Sequence, residues 1–378
     1  MTTTINNEHK KLNVPNLRFK EFQGEWEKCK LSEICTFFSG GTPSSSNKDF
    51  YGGNIAFIRS GELHADSTEL FITQAGFDSS SAKMVEVGDL LLAMYGATSG
   101  DIAVSKIKGA INQAILCIRT KQNKKFIESV WNKHVSKNLR KYLQGGQGNL
   151  SADIVKGISF FFPTLKEQEK IANLVYLLDE RIATQNKIIE DLKMLKSAIS
   201  HILFSSKCAI HLSDIANVVM GQSPSSNAYN DQGIGMPLVQ GNLDISNGKT
   251  TPRLYTAEFN QTTEEGNIIL TVRAPVGEVA KATKKVCLGR GVCAIIPHEE
   301  NMSDFIYQYL TFYKFMWRKY EQGSTFTSIN GSDVRNIPCP KVRNVSILTL
   351  LDRKINIEER VIKLYQSQKQ YMLCQMFI

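Results

Sequence analysis

LSEICTFFSGGTPSSS (Leu31–Ser46) and LSDIANVVMGQSPSSN (Leu212–Asn227) are two versions of one segment, 181 residues apart from Leu31 to Leu212. Working outward from them, VGDLLLAMYGATSGDIAV (Val87–Val104) returns as EGNIILTVRAPVGEVAKA (Glu265–Ala282), with Gly88 and Gly266 separated by 178. QGGQGNLSADIVKGISFFFP (Gln144–Pro163) returns as QGSTFTSINGSDVRNIPCP (Gln322–Pro340), again at 178, and LLDERI (Leu177–Ile182) returns as LLDRKI (Leu350–Ile355) at 173. Four landmarks in one order mark a duplication. Its period is far longer than the roughly 20–50 residues of a solenoid repeat and is the size of a domain. A duplicated domain points to two similar tasks done side by side, such as reading two sites.

Within each half the grammar is that of strands and turns. Short runs rich in Ile, Val and Phe are separated by Gly, Ser and Asn clusters, as in NIAFIRS (Asn54–Ser60), DLLLAMYG (Asp89–Gly96), QAILCIRT (Gln113–Thr120), NIILTVRAP (Asn267–Pro275) and VCAIIP (Val292–Pro297). Each half then carries a helix: Lys125–Leu143, with Phe126, Val130, Trp131, His134 and Leu139 at helical spacing and the Gly145-Gly146 pair as its stop, and Ser303–Tyr320. His134 reads as a packing residue of that helix and not as a catalyst.

Lys166–Leu203 changes character. It holds no Gly or Pro, and Ile171, Leu174, Leu178, Ile188, Leu192, Leu195, Ile199 and Ile202 follow coiled-coil spacing, with polar Arg181 and Gln185 in the middle of the stripe. About 38 helical residues span roughly 57 Å, too long to fold back into a small domain. A second such helix, Val345–Met376, carries Leu348, Leu351, Ile355, Ile362, Tyr365 and Met372. Neither has a full apolar seam alone, so the two are expected to pair with one another. The candidate coiled-coil and partner contacts are Ile171, Leu174, Leu178, Leu192, Leu195 and Ile199 on the first, and Leu351, Ile355, Ile362 and Tyr365 on the second. The expected architecture is mixed α/β (α+β): an N-terminal arm over 1–24, a domain over 25–165, a helix over 166–205, a second domain over 206–342 and a second helix over 343–378, the helices forming an antiparallel coiled coil.

Composition narrows the function. Hydrophobic residues make up 42% of the 378, enough for real cores rather than wholesale disorder. A net charge of +9 favours a polyanionic partner. No apolar run reaches membrane-spanning length and MTTTINNEHKKLNVPNLRF lacks an apolar signal core, so a cytoplasmic protein is expected. The eight cysteines form no CxxC pair, lack zinc-ligand spacing, and read as reduced and mostly buried. GxxxxGK, HExxH and GxSxG are absent, as is a GxGxxG after a strand and a Pro-Pro-Tyr or Pro-Pro-Phe tetrapeptide. No catalytic residue and no metal ligand is therefore expected.

The residues that do recur are Gly, Ser, Thr, Asn, Gln, Arg and aromatics, on four polar loops per half. Small residues let backbone approach phosphates, and Arg, Gln and Asn match guanine and adenine edges. In the first half the candidate nucleic-acid contacts are Ser39, Gly41, Thr42 and Ser44; Arg59 and Ser60; Tyr95, Thr98 and Ser99; Asn112 and Gln113; and Gln147 and Asn149. In the second half they are Gln222, Ser223 and Ser225; Gln240 and Asn242; Arg273; Arg290; and Ser324, Thr325 and Thr327.

With these features in place the chain resembles the DNA-specificity subunits of type I restriction-modification systems over nearly its whole length. The most specific parts are NLRFKEFQGEWEKCKLSEI (Asn16–Ile34), the loop FSGGTPS, VGDLLLAMYGATSG, and ISFFFPTLKEQEKIANLVYLLDERI (Ile158–Ile182) with its EQ..IA.L...LD string; the second half departs from that string after Pro340. The resemblance implies two target-recognition domains on a paired-helix rod, reading a bipartite, asymmetric double-stranded DNA target, with the rod setting the unread gap. It implies a subunit without catalysis or cofactor of its own. Two methyltransferase subunits would bring S-adenosylmethionine and flip an adenine in each half-site, and restriction subunits with translocase activity would use ATP and Mg. The alternative is an orphan DNA-binding regulator or decoy without enzymatic partners.

Overall fold

Short aliphatic runs bounded by glycine turns become strands, and in both halves they assemble in the same order. The computed structural model describes residues 12–142, 149–205, 208–319, 328–341 and 344–378. The chain divides into two units, Met1–Gln185 with Val361–Ile378, and Asn186–Arg360.

In the first unit Cys35–Ser39, Ile115–Thr120, Leu90–Ala93 and Ile102–Val104 lie side by side as an antiparallel sheet. A second sheet runs Phe71–Ile72, Tyr51–Ile58, Gly109–Ile111, Lys83–Val85, with Tyr51–Ile58 parallel to Gly109–Ile111. The second unit repeats both. Ala216–Met220, Val292–Pro297, Ile268–Thr271 and Val279–Lys281 form the antiparallel array, extended by two short strands, Lys249–Thr250 and Ile245–Ser246. Met236–Val239 runs parallel to Val286–Leu288 in the other sheet.

Leu90–Ala93 and Ile268–Thr271 are apolar at almost every position because both faces are covered. Leu90 and Leu92 pack with Trp26, Leu116 and Phe126, while Leu91 and Ala93 pack with Ile58, Ile115 and Cys117. In the second unit Ile268 and Leu270 face one core and Ile269 the other.

Among the described residues four helices have eleven residues or more: α1 (Lys124–Tyr142), α2 (Leu165–Phe204), α3 (Ser303–Tyr313) and α4 (Ser346–Met376). The first buries Phe126, Ile127, Val130 and Trp131. His134 packs its ring 5.5 Å from that of Phe160, as a packing histidine should. The expected stop at Gly145-Gly146 lies outside the described residues. The third helix is shorter than the sequence reading: after Tyr313 the chain tightens into a 3-10 helix, Lys314–Lys319, which seats Trp317 edge-on to Tyr313 at 5.4 Å.

The two long helices carry a heptad grid. Buried or half-buried positions on α2 are Ile171, Val175, Leu178, Ile182, Gln185, Ile189, Leu192, Lys196, Ile199 and Leu203. On α4 they are Leu348, Leu351, Ile355, Glu358, Ile362, Tyr365, Lys369, Met372 and Met376. Both series advance by alternating steps of three and four. Four of these positions are polar or charged: Gln185, Lys196, Glu358 and Lys369. That corrects the sequence reading. Past Gln185 the expected Leu192 and Ile199 lie on the grid, but Ile188, Leu195 and Ile202 fall on the neighbouring row and are 39%, 49% and 78% exposed. Leu174 sits half-buried beside the grid. In the first unit Lys369 donates to Asp179 at 2.5 Å and Arg181 to the Tyr365 hydroxyl at 3.3 Å. In the second unit Lys193 donates to Glu359 at 2.7 Å and Lys196 to Asp352 at 2.6 Å. Within each unit the paired segments are antiparallel.

The segment read as a polar arm is tied down from Asn13 onward. Arg18 grips the fully buried Glu167 carboxylate through two bonds of 2.8 Å, and Leu17 N–H donates to Gln375 O at 3.0 Å. Gln168 donates to Gln122 Oε1 and Pro163 O and accepts from Asn123 N–H. The Glu-Gln pair at the start of α2 is thus a clamp on the preceding chain. Cysteines 117, 287, 293 and 339 are buried, Cys29 and Cys35 are half-buried and Cys374 is exposed, in keeping with the expectation of mostly buried thiols. Among the described residues no helix is long and apolar enough to cross a membrane.

Candidate nucleic-acid interface

In each unit the polar loops are drawn together by backbone bonds that correspond one to one. Gly40 N–H donates to Ile115 O, and Gly221 N–H to Val292 O; Gly41 N–H donates to Ile111 O, and Gln222 N–H to Leu288 O. Asn112 N–H meets Ile58 O as Gly289 N–H meets Val239 O, and Met94 N–H meets Ala114 O as Val272 N–H meets Gly291 O. These bonds place the loops after Ser39, Ile58, Met94 and Ile111 side by side in the first unit. The loops after Met220, Val239, Val272 and Leu288 take the same places in the second.

Two glycines make this close approach possible. A Cβ on Gly40 would lie 1.8 Å from Ile111 O, and one on Gly221 would lie 2.2 Å from Gly289 O. The loop beyond each glycine is braced by a tyrosine: Tyr51 donates to Pro43 O at 2.8 Å and Tyr229 to Pro224 O at 3.1 Å. Sequence reasoning missed both braces. Their one signal is an aromatic residue downstream of each Pro-Ser-Ser, at unequal distances of eight and five residues.

Side chains then join neighbouring loops. In the first unit Thr42 donates its hydroxyl to Gln113 Oε1. In the second Ser223 Oγ accepts from Arg290 N–H at 3.1 Å. Ser44 and Ser46 pair at the tip of the first loop. Other candidate contacts serve their own turns: Ser99 donates to Met94 O and Asn112 Oδ1 accepts from Ala114 N–H. Arg59 is occupied, donating to both oxygens of Glu62 and holding that carboxyl below the usual carboxylate range. Tyr95 is exposed, Ser60, Thr98 and Asn242 are half-exposed, and Ser225 and Asn149 are exposed. Gln147, Ser324, Thr325 and Thr327 lie outside the described residues.

The second unit's loops enclose an open cleft of about 730 Å³ lined by Ser223, Gln240, Asn242, Arg253, Arg273 and Arg290 among others. Its floor holds a buried carboxylate, Asp244, that accepts from Gln240 N–H at 2.8 Å and from Arg253 Nε at 3.1 Å. Asp244 and Arg253 were not singled out from sequence, because neither belongs to a duplicated string. Among the described residues no group of three or more His, Cys, Asp or Glu could hold a metal ion. The cleft offers hydrogen-bond donors, hydroxyls and guanidinium groups on a rigid double-sheet frame. That is the chemistry of polar recognition.

The chain builds one arrangement of polar loops twice, with different side chains at equivalent places, the layout of a recognition protein. Residues 23–194 and 209–364 match the type I restriction modification DNA specificity domain, and the chain belongs to that family. It is a DNA-specificity subunit of a type I restriction-modification system. It is 28% identical over 374 residues to a putative type I restriction enzyme MjaX specificity subunit of Methanocaldococcus jannaschii, covering 88% of this chain and 86% of that one. Identity to the EcoR124I/EcoR124II specificity subunit of Escherichia coli is 29% over 187 residues, 47% and 45% of the two chains. The crystal structure of a type I restriction-modification S subunit from M. genitalium shares the fold, with a TM-score of 0.66 at 18% identity over 97% of this chain and 99% of that one.

Proposed function

We propose that this subunit is non-catalytic and reads a bipartite, asymmetric DNA target, one half-site per unit, through the polar loops described above. The observation that carries this reading is the one-to-one correspondence of the loop-joining backbone bonds combined with differing rim residues: Gln113 stands where Arg290 stands, and Tyr95 where Arg273 stands. An identical frame with different side chains reads different sequences. Chemistry then belongs to partners. Two modification subunits would supply S-adenosylmethionine and methylate adenine, and restriction subunits would supply ATP-driven, Mg-dependent cleavage. The exposed apolar row Ile188, Leu195 and Ile202 on α2 is a surface for such a partner. The protein acts in the cytoplasm, where DNA and these partners meet.

The test is co-expression with the cognate modification subunit in a host free of adenine methylation, followed by reading methylated adenines across the host genome. A two-part motif with a fixed gap is the expected result. No methylated motif together with no complex, from a chain that still binds DNA, would overturn it in favour of a solitary DNA-binding protein.

A further inference from the structure

The two sets of polar loops differ in their arginines. Arg273 and Arg290 line the second unit's cleft, both exposed, and among the described residues neither guanidinium has a hydrogen bond or ion pair. Their neighbour Arg253 is different: its Nε is held by the buried Asp244. In the first unit the equivalent places, fixed by the matching backbone bonds, hold Tyr95 and Gln113. The first unit's own loop arginine, Arg59, is spent on Glu62.

Taking a guanidinium to a protein surface without a carboxylate leaves all its donors for a ligand. Its planar fork matches two acceptors side by side. In the DNA major groove only guanine offers such a pair, N7 and O6. Gln113 has the complementary pattern of one donor and one acceptor that fits adenine N6 and N7. Its Oε1 already accepts from Thr42, which fixes the amide's orientation.

We infer that Arg273 and Arg290 are guanine readers, so the half-site bound by the second unit carries guanine at the positions they face, and the first unit lacks a guanine reader at both equivalent places. This rests on the reading of the polar loops as DNA-recognition sites. The asymmetry of the target is then written into two pairs of equivalent residues, Tyr95 with Arg273 and Gln113 with Arg290.

The test compares Arg273→Gln and Arg290→Gln with the unaltered full chain, each co-expressed with the modification subunit. The readouts are the genomic methylation motif and binding to duplexes carrying guanine or 7-deazaguanine. Each variant is expected to lose roughly 10- to 100-fold discrimination at one guanine of one half-site while the other half-site stays strict. Arg290→Gln, which installs the side chain present at position 113, is expected to shift preference there toward adenine. In the unaltered complex 7-deazaguanine at those positions should weaken binding by a similar factor, because it lacks N7. A uniform loss across all sequences would place the arginines on phosphates and overturn the inference, as would relaxation at a base other than guanine. An unaltered complex that selects no sequence would overturn the DNA-recognition reading itself, and the inference with it. Both side chains are exposed, so a circular-dichroism melt unchanged from the unaltered chain confirms that the variants fold.

Discussion

Lys196 Nζ donates to Asp352 Oδ1 at 2.6 Å, and the pair is repeated 173 residues later with the helices exchanged, as Lys369 with Asp179 at 2.5 Å. Both aspartates are the third residue of the LLDERI and LLDRKI strings that announced the duplication, and both lysines occupy heptad-grid positions that an aliphatic residue would ordinarily fill. Asp352 has a second donor, the Gln308 amide at 2.6 Å. Replacing Asp352 with Ala leaves a half-buried lysine and a buried glutamine without this acceptor. We expect a loss of about 2–3 kcal/mol, below the cost of breaking a fully buried pair because both partners keep some contact with water. Lys196→Met should cost less, since the grid position accepts an aliphatic chain. Urea midpoints of the two variants decide it. Equal, negligible shifts would make the pair an ordinary surface contact.

The sequence placed the main strands and the polar loops after Ser39, Ile58 and Met94, with their second-half counterparts, because each signal arrives twice and because glycine turns frame the aliphatic runs. It misplaced the second part of the α2 stripe because Gln185 and Lys196 occupy grid positions, so apolar Ile188 and Leu195 on the adjacent row looked like the seam. It was silent about the Asp244–Arg253 pair, which has no counterpart string in the first half. In the first half Glu167 meets Arg18 of the preceding chain; the second half carries no Glu-Gln pair after Pro340.

That clamp is testable in its own right. Arg18→Ala strands a carboxylate whose side chain is fully buried. The expected cost is about 3–5 kcal/mol, because the charge stays buried while its partner leaves. Arg18→Ala with Glu167→Leu should recover much of it. If the double variant is no more stable than the single one in thermal unfolding, the clamp contributes by packing and not by charge.

The paired glycines should be the least replaceable loop residues. Gly221→Ala drives a methyl group into Gly289 O, a backbone atom that cannot swing aside, and Gly40→Ala does the same against Ile111 O. Each should lower stability by more than about 2 kcal/mol and remove sequence selection in its own half-site. Gly61→Ala, with nothing within 4 Å of its added carbon, should leave both unchanged. Differential scanning calorimetry alongside the methylation motif separates the three.

Cysteine reactivity should follow burial. Desolvation pushes Cys117 and Cys293 up to about 12, so neither forms thiolate near neutral pH. Exposed Cys374 should be the first of the described cysteines to react with a maleimide in the native protein. Peptide mapping after brief labelling checks this, and labelling of Cys293 at the same rate would show that its strand opens readily.

Acid should weaken the first unit through Asp89. Burial raises this carboxyl's pKa, but bonds from Arg119 at 2.8 Å and from Glu86 N–H at 3.1 Å, with Lys124 nearby, more than offset that and hold it below the usual carboxylate value. A depressed folded-state pKa gives stability that is fully present above the unfolded value of about 4 and is lost as pH falls through the folded value. Asp89→Asn should therefore lower stability at pH 7 and flatten the decline in urea midpoint below about pH 4. The second unit already carries Asn267 at the equivalent place, beside Gly266 as Asp89 is beside Gly88, so the amide fits the strand and the change isolates the charge. An unaltered acid profile in the variant would assign the decline to the other carboxylates held low by cations, Glu62 beside Arg59 and Asp304 beside Lys281.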